Sequence, residues 1–259
     1  MNASAAGGLE IGLQLWTLRD LVASDLPAAL AATREIGYGT VELAGFAGHE
    51  PEAMAEALRA AGLVAPSAHI SYPILLDDLD GVIASLRTVG CAGLVVPAFA
   101  PELLADRELV ERLARSLDSI AGHASDAGIS FALHNEESQL VPLDETTAWS
   151  ILVDETDPAL VSLQLDLFAM LAAGIDPLPL IARHAPRIDS LHVCDRRDGR
   201  YVPVGQGEID WRPILDAVAA TRCRVLFVEV EDARDPVAAA QVSYDGLQHL
   251  IGPPPVTAN

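Results

Sequence analysis

The stretch IDSLHVCDRRDGRYVPVGQGEIDW, residues 188–211, passes from an apolar strand through a charged turn into a helix. Its first part has the alternation of a strand and places His192 in the middle of it. The charged residues predict a hairpin-like excursion. Gly205 and Gly207 predict a sharp return before a helix that enters at Asp210. A strand that leads through a loop into a helix is the repeating unit of a parallel α/β sheet.

The same unit repeats along the whole chain. We predict eight strands, at residues 10–16, 40–45, 64–70, 93–99, 129–136, 161–168, 188–195 and 225–231. Several of the helical segments between them begin with Asp or Asp-Pro and end in Gly, as capped helices do. Eight strands and eight helices in 259 residues predict a single-domain α/β fold. We expect a (βα)8 barrel over residues 1–252, followed by a disordered tail over residues 253–259.

Composition excludes several classes of function. The net charge of −21 argues against nucleic acid and anionic membranes as partners. All 16 basic residues are arginine, so a Schiff-base lysine is excluded. The three cysteines form no C-x-x-C pair, which argues against a disulfide framework or a zinc ribbon. A reducing cytoplasm fits this usage, and the sequence shows neither a signal-peptide pattern nor an apolar run of about 18 residues.

Alternation along the strands predicts which side chains face the barrel interior. The ionisable residues assigned to the interior are Glu42, His69, His134, Glu136, Asp166, His192 and Glu229. Most lie near the carboxyl ends of their strands, where barrel active sites are built. Burying so many ionisable groups is costly unless they are paired. Carboxylates together with imidazoles suit Mn²⁺, Co²⁺, Mg²⁺ or Zn²⁺, so the pattern predicts a divalent metal site. Taken singly, each residue could instead be a hydrogen-bonded core residue or a loop anchor.

Seven motifs in fixed order carry a family resemblance. They are LQLWTLRD, IGYGTVEL, HNE, LQLDLF, LHVCD, VGQGEIDW and FVEVED. In these motifs, from about residue 10 to 250, the chain resembles the sugar phosphate isomerase/epimerase family of xylose isomerase-like TIM barrels. The resemblance implies a divalent metal held by Asp166, His192, Glu229 and one residue of strand five. In the run HNE that residue is either His134 or Glu136.

The resemblance also implies a chemistry, which is proton transfer beside the carbonyl group of a sugar through an enediolate that the metal stabilises. Glu229 is the first candidate for the catalytic base and Glu136 the second. Glu42 and His69 would orient the substrate or support the metal ligands. Two positions depart from the family. Epimerases of the family often have histidine where Ala169 stands, and many relatives have lysine where Cys194 stands, which we interpret as a small buried filler.

Three further residues are candidates for substrate binding. Trp16 would stack on a sugar face or plug the barrel. Asp195 and Arg196 lie in the excursion after strand seven, above the predicted barrel mouth. Arg196 and Arg197 could hold a phosphate or carboxylate group through bidentate contacts, or simply form a solvated turn.

We therefore predict a cytoplasmic sugar isomerase or epimerase that acts on a small sugar or polyol. Formation of a homo-oligomer is compatible with this prediction. The first alternative is a metal-dependent dehydratase or other lyase of a keto-polyol or keto-sugar. An apurinic-site endonuclease uses the same barrel, but it would need a basic DNA-binding face. A non-catalytic, carbohydrate-binding barrel with a degenerate site is the alternative from another class.

Overall fold

The structure is a computed structural model that describes residues 8–252. The predicted tail at residues 253–259 lies outside the described residues. Eight parallel strands close into a barrel in which neighbours along the chain are neighbours in space, and the last pairs with the first. Numbered β1 to β8 in chain order, they are Glu10–Gln14, Thr40–Ala44, Val64–His69, Gly93–Val96, Ser130–His134, Val161–Asp166, Ile188–Val193 and Val225–Val228. The prediction of a single-domain (βα)8 barrel is confirmed.

Eleven α-helices lie in the described part of the chain. Helices α1 to α5 are Arg19–Ser24, Leu26–Ile36, Pro51–Ala61, Tyr72–Val89 and Arg107–Asp126, and α6 to α11 are Glu137–Leu140, Ala148–Glu155, Leu167–Ala172, Pro177–His184, Trp211–Val218 and Pro236–Ile251. Three 3-10 helices, Leu15–Leu18, Pro101–Leu104 and Ala185–Arg187, join them. Aspartates cap several amino termini as the sequence predicts; Asp210, for example, accepts a hydrogen bond from the Arg212 N–H at the start of α10.

The strands begin where the alternation predicts, but they end sooner. Strand β5 stops at His134 rather than residue 136, and β8 stops at Val228 rather than residue 231. At these residues the chain leaves the sheet. The polar residues that follow therefore lie on loops at the carboxyl-terminal mouth of the barrel. The hairpin after β7 is confirmed as Asp195–Arg197 paired antiparallel with Arg200–Val202.

The barrel interior is closed below the mouth by an aromatic side chain. Phe227 of β8 lies in register with Gly12 of β1. A Cβ atom at Gly12 would lie 2.5 Å from Phe227 Cδ1, so only glycine leaves room for the ring. Phe227 is also in register with His192 of β7, and the two ring centroids lie 6.1 Å apart, edge to face. The aromatic ring therefore packs beside the polar residues of the barrel interior.

Among residues 8–252, no helix combines the length and hydropathy that crossing a lipid bilayer requires.

Candidate active site

Three adjacent strands bring together the three residues that the family resemblance implies as metal ligands. Asp166 ends β6, His192 lies in β7, and Glu229 follows β8 directly. One ligand atom from each lies within 4.8 Å of the others. Two carboxylates and one imidazole at this spacing form a donor set that a divalent cation could occupy.

His192 is held between two carboxylates. Its Nδ1 lies 2.7 Å from Glu229 Oε2, and its Nε2 lies 2.6 Å from Glu42 Oε2. Burial alone would lower the pKa of His192, but the two carboxylates outweigh burial and raise it well above its ordinary value. In the metal-free protein the ring is therefore an imidazolium with a fixed orientation. A histidine is tolerated in the middle of this buried strand because both of its ring nitrogens are paired with carboxylates.

Glu42 is the centre of a buried hydrogen-bond network. Its carboxylate accepts hydrogen bonds from three side chains besides His192, namely Gln14 at 2.9 Å, Gln164 at 2.8 Å and Ser67. The His69 Nε2 lies 3.1 Å from the same carboxylate. Burial would raise the pKa of Glu42, but the imidazoles of His69 and His192 hold it well below its ordinary value. Glu42 is fully buried below the mouth. This placement favours the supporting role over the substrate contact also predicted for it.

Three imidazoles form a second group beneath the mouth. The rings of His69 and His134 lie 5.0 and 4.5 Å from the ring of His192, measured between centroids. His69 Nε2 also lies 2.7 Å from Gln164 Oε1. His134 Nδ1 is buried and has no hydrogen-bond partner among the described residues. Burial and the neighbouring imidazoles lower the pKa of His134 well below its ordinary value, so this ring is neutral.

Glu136 lies two residues beyond the end of β5, on the loop that leads into α6, not within the strand as predicted. Burial raises its pKa to about 8, and the nearby carboxylates of Asp166 and Glu229 add to the effect. Burial likewise raises the pKa of Asp166 to about 7, with His192 acting in the opposite direction. Neither Glu136 nor His134 belongs to the three-residue donor group, but both lie beside it.

Asp166 is fixed by its neighbours in the chain and across the sheet. Its Oδ1 accepts a hydrogen bond from the Ala169 N–H at 2.8 Å, which caps α8. Asn135 accepts from the Asp166 N–H at 2.9 Å and donates to the Asp166 carbonyl at 3.1 Å. Our reading of the sequence missed Asn135, because strict alternation would turn it away from the site. From the sequence we also assigned no role to Gln164, which bridges Glu42 and His69. Alternation places this amide on the inward face beside the inward acids, and that could have indicated its role.

A cavity of about 510 Å³ opens above these groups. Its acidic lining consists of Glu136, Glu229 and Glu231. Glu231 was also missed, although the alternation that assigns Glu229 to the interior assigns Glu231, the last residue of the predicted strand, to the same face. Trp16 lines the same cavity and is 44% exposed. The chain leaves β1 at Gln14 and forms a 3-10 helix, so Trp16 stands at the rim and does not plug the barrel.

The hairpin after β7 contributes support in place of the predicted substrate contacts. Asp195 is buried and accepts hydrogen bonds from the N–H groups of Arg196, Gly205 and Ile209 and from the Trp211 indole. It therefore anchors the loop. The Arg196 guanidinium donates to a backbone carbonyl of α8 and lines a different cavity, so it does not face the carboxylates. Arg197 is exposed on the hairpin, as a solvated turn would place it.

Cys194 is buried beside the hairpin and donates to the Val202 carbonyl at 3.1 Å. Burial raises the pKa of its thiol, which agrees with the interpretation of an unreactive filler.

Comparison with known proteins agrees with this architecture. An inosose dehydratase of Bacillus anthracis is 28% identical over 168 residues, which are 58% of this chain and 55% of that protein. The chain thus matches little more than half the length of these curated relatives. The solved structure of a sugar phosphate isomerase/epimerase from Parabacteroides distasonis superposes with a TM-score of 0.83 at 22% identity, covering 95% of this chain and 99% of that one.

A structure of the IOLI protein with a bound zinc atom superposes with a TM-score of 0.73 at 16% identity, covering 94% of this chain and 98% of that one. Because these two structures are only 22% and 16% identical to this chain, their similarity establishes the fold alone. The sequence profile described as xylose isomerase-like TIM barrel matches residues 30–251, which takes in seven of the eight barrel strands and the whole donor group. The chain therefore belongs to the xylose isomerase-like TIM barrel family.

Proposed function

We propose that this protein is a divalent-metal-dependent enzyme that transfers a proton at the carbon beside a carbonyl group of a sugar or polyol, as an isomerase or epimerase. The observation that carries the proposal is the donor group of Asp166, His192 and Glu229, whose ligand atoms lie within 4.8 Å of one another. Glu229 also lines a cavity with Glu136, so the donor group adjoins a second acidic side chain and a space for a substrate.

The residues present fit a divalent cation. Glu136, Asp166 and Glu231 each have a raised pKa, because burial and neighbouring carboxylates leave their negative charges unbalanced. Asp166, His192 and Glu229 would hold the cation, and Glu42 would fix the His192 ring from its far side. A bound cation supplies Lewis-acid stabilisation of the negative charge that develops on the substrate oxygens. The zinc in the IOLI structure is consistent with this assignment.

Glu229 is the proposed base. It faces the cavity, and its hydrogen bond to His192 fixes its position. Glu136 is the proposed second acid–base group, because it lies on a different loop of the same cavity. Return of the proton to the same carbon from the other face would give an epimer, and return to the neighbouring carbon would give an isomer. His69 also lines the cavity and would help to orient the substrate, while its Nε2 is held between Glu42 and Gln164.

Dehydration is the second candidate function, and the inosose dehydratases among the relatives favour it. Its first step is the same proton abstraction. It then requires an acid to protonate the departing β-hydroxyl group. Glu136, with its pKa raised to about 8, would be protonated at neutral pH and suits that role.

The test is incubation with Mn²⁺ and a panel of ketoses and inososes in D₂O, followed by NMR and mass spectrometry. Deuterium incorporation into a product of unchanged composition supports an isomerase or epimerase. Loss of one water molecule supports the dehydratase. A His192→Ala variant should lose either activity, whereas His123→Ala, which changes a half-exposed histidine paired with Asp80, should keep it. A protein that binds Mn²⁺ but exchanges no proton with any keto-substrate would contradict the proposal and favour a non-catalytic carbohydrate-binding barrel.

Cytoplasmic location, homo-oligomerisation and the absence of nucleic-acid and membrane partners remain predictions from the sequence.

A further inference from the structure

The cavity has two chemically different walls. One wall carries the carboxylates of Glu136, Glu229 and Glu231, on the loops after β5 and β8. The other wall is apolar and comes from the segments that follow β1 to β4, including helix α4. Its larger residues are Trp16, Phe46, Ile70, Ile74, Val82 and Pro97. A substrate that fills this space must therefore present different chemistry to the two sides.

Charge argues against a phosphorylated substrate. Among residues 8–252 no arginine lines the cavity, and the chain contains no lysine. His69 is the one imidazole in the lining, and its Nε2 is already shared between Glu42 and Gln164. A phosphate group would bring further negative charge to a wall of three carboxylates without a basic partner from the protein.

The arginines nearest in sequence to the site are engaged elsewhere. Arg19 stands over the Trp16 ring, 5.1 Å from its centroid, and its guanidinium lies 3.9 Å from the Asp232 carboxylate. Arg196, which the sequence suggested for phosphate binding, lines a different cavity. Neither residue contributes to the lining of the catalytic cavity.

The apolar wall exposes side chains that a sugar alone would leave in water. Trp16 is 44% exposed and Ile74 is 52% exposed, although both are large and apolar. Their surfaces are continuous with the carboxylate site through one cavity of about 510 Å³. Cavities of roughly 300–1,000 Å³ typically hold drug-sized ligands. A flat, apolar group would cover the indole and Ile74 and remove both from water.

Resting on the proposed function, we infer that the substrate is a neutral keto-glycoside or keto-polyol that carries an aromatic group. The polyol part faces the carboxylates, and the aromatic group lies against Trp16 and Ile74. The enzyme therefore selects for the aromatic substituent and against a phosphate. This assigns a specificity role to Trp16, Phe46 and Ile74, which surround the proposed binding place of that group.

The test compares binding of phenyl and methyl glycosides of glucose, galactose and xylose, together with glucose 6-phosphate, to the Mn²⁺-loaded protein. The glycosides lack the carbonyl group of the proposed substrate, so they serve as unreactive binding probes. Calorimetry gives the affinities. Tryptophan fluorescence reports occupancy of the apolar wall, because Trp149 and Trp211 are buried and Trp16 is exposed. We expect at least one phenyl glycoside to bind about tenfold more tightly than its methyl partner and to change the Trp16 emission. Glucose 6-phosphate should bind more weakly than either.

Ile74→Ala should reduce the preference for the phenyl glycoside to less than about threefold. Leu76→Ala is the matched control, because Leu76 lies in the same helix, is 60% exposed and does not line the cavity. It should keep the full preference. The inference is overturned if no phenyl glycoside binds better than its methyl partner, if glucose 6-phosphate binds as tightly, or if Ile74→Ala and Leu76→Ala behave alike.

These measurements need no turnover, so they separate the inference from the proposed function. A tenfold preference without proton exchange would leave the specificity standing and remove the enzyme activity. Proton exchange without a preference for phenyl glycosides would support the enzyme activity and overturn the inferred specificity.

Discussion

The carboxylates of the barrel lie at two levels and differ in their surroundings. The lower layer is Glu42, and the upper layer is Glu136, Asp166 and Glu229 at the mouth. Glu42, in the lower layer, accepts hydrogen bonds from imidazole, amide and hydroxyl groups, and its pKa lies well below the ordinary value. Glu136 and Asp166, in the upper layer, have one another and Glu229 as neighbours, and their pKa values rise to about 8 and 7. The charge of Glu42 is balanced by its neighbours and stabilises the fold. The negative charge of the upper carboxylates is not balanced within the protein, so these side chains could bind a cation and a substrate.

The difference follows from position along the strands. Glu42 lies within β2 and points into the closed barrel, where Gln14, Ser67, Gln164 and His192 converge on it. The upper acids lie at or beyond the strand ends, on loops that face the cavity. His192 belongs to both layers, because its two ring nitrogens meet one carboxylate from each.

The largest effect should come from breaking the lower layer. Glu42→Ala leaves a buried imidazolium and several buried donors without their acceptor, so the free energy of unfolding of the metal-free protein should fall by about 3–5 kcal/mol. Glu136→Ala removes a carboxyl group that has no salt-bridge partner among residues 8–252, so the free energy of unfolding should stay nearly unchanged or rise. Urea denaturation at pH 7 measures both. Equal losses in the two variants would show that the layers are not energetically distinct.

The next effect should appear in metal binding. Asp166→Asn keeps a side chain that can cap α8 but removes the ligand charge, so affinity for Mn²⁺ should fall by about 100-fold or more, while the fold is retained. Asp176→Asn is the matched control, because Asp176 caps α9 in the same manner and lies outside the donor group. Calorimetric titration of the metal-free proteins measures both. Unchanged binding in Asp166→Asn would reduce Asp166 to a helix cap.

The smallest effect should be a change in the pH dependence of stability. The pKa of Glu136 rises from 4.5 to about 8 on folding, so the native state binds more protons than the unfolded state between those values. Its contribution to stability is therefore present below pH 4.5 and is lost as the pH rises to 8. The Tm difference between metal-free Glu136→Gln and wild type should therefore be larger at pH 8 than at pH 5, by about 2–4 °C for each 1 kcal/mol of stability that the wild type loses over this range.

Saturating Mn²⁺ should offset the loss in the wild-type protein, because a cation balances the ionised carboxylates. Thermal melts at pH 5 and 8, with and without Mn²⁺, provide the measurement. A wild-type Tm that varies with pH in the same way as that of Glu136→Gln would contradict the assignment of an unbalanced carboxylate at this position.

Local patterns predicted much of the site. The alternation around His192 and Asp166 assigned both to the interior, because a strand's two faces are fixed by its period of two residues. The period fails where the strand ends. Trp16, Asn135 and Glu231 lie beyond those ends, so their directions depend on the loops. Asn135 turns to the site against the alternation, whereas Trp16 and Glu231 line the cavity on the side that the alternation assigns. Asp195 and Arg196 were assigned to the mouth correctly by sequence position, but their side chains turn into the protein.

Residue patterns suffice to predict the eightfold alternation, the barrel and the identity of the acids and imidazoles that the barrel gathers. These depend on residue periodicity and on caps, which act over a few neighbouring positions. The three-dimensional fold was needed to show which carboxylates are paired and which are unbalanced, and that one wall of the cavity is apolar. Those properties depend on distances between residues far apart in the chain, such as the 2.6 Å that joins His192 to Glu42, and closure of the barrel sets them.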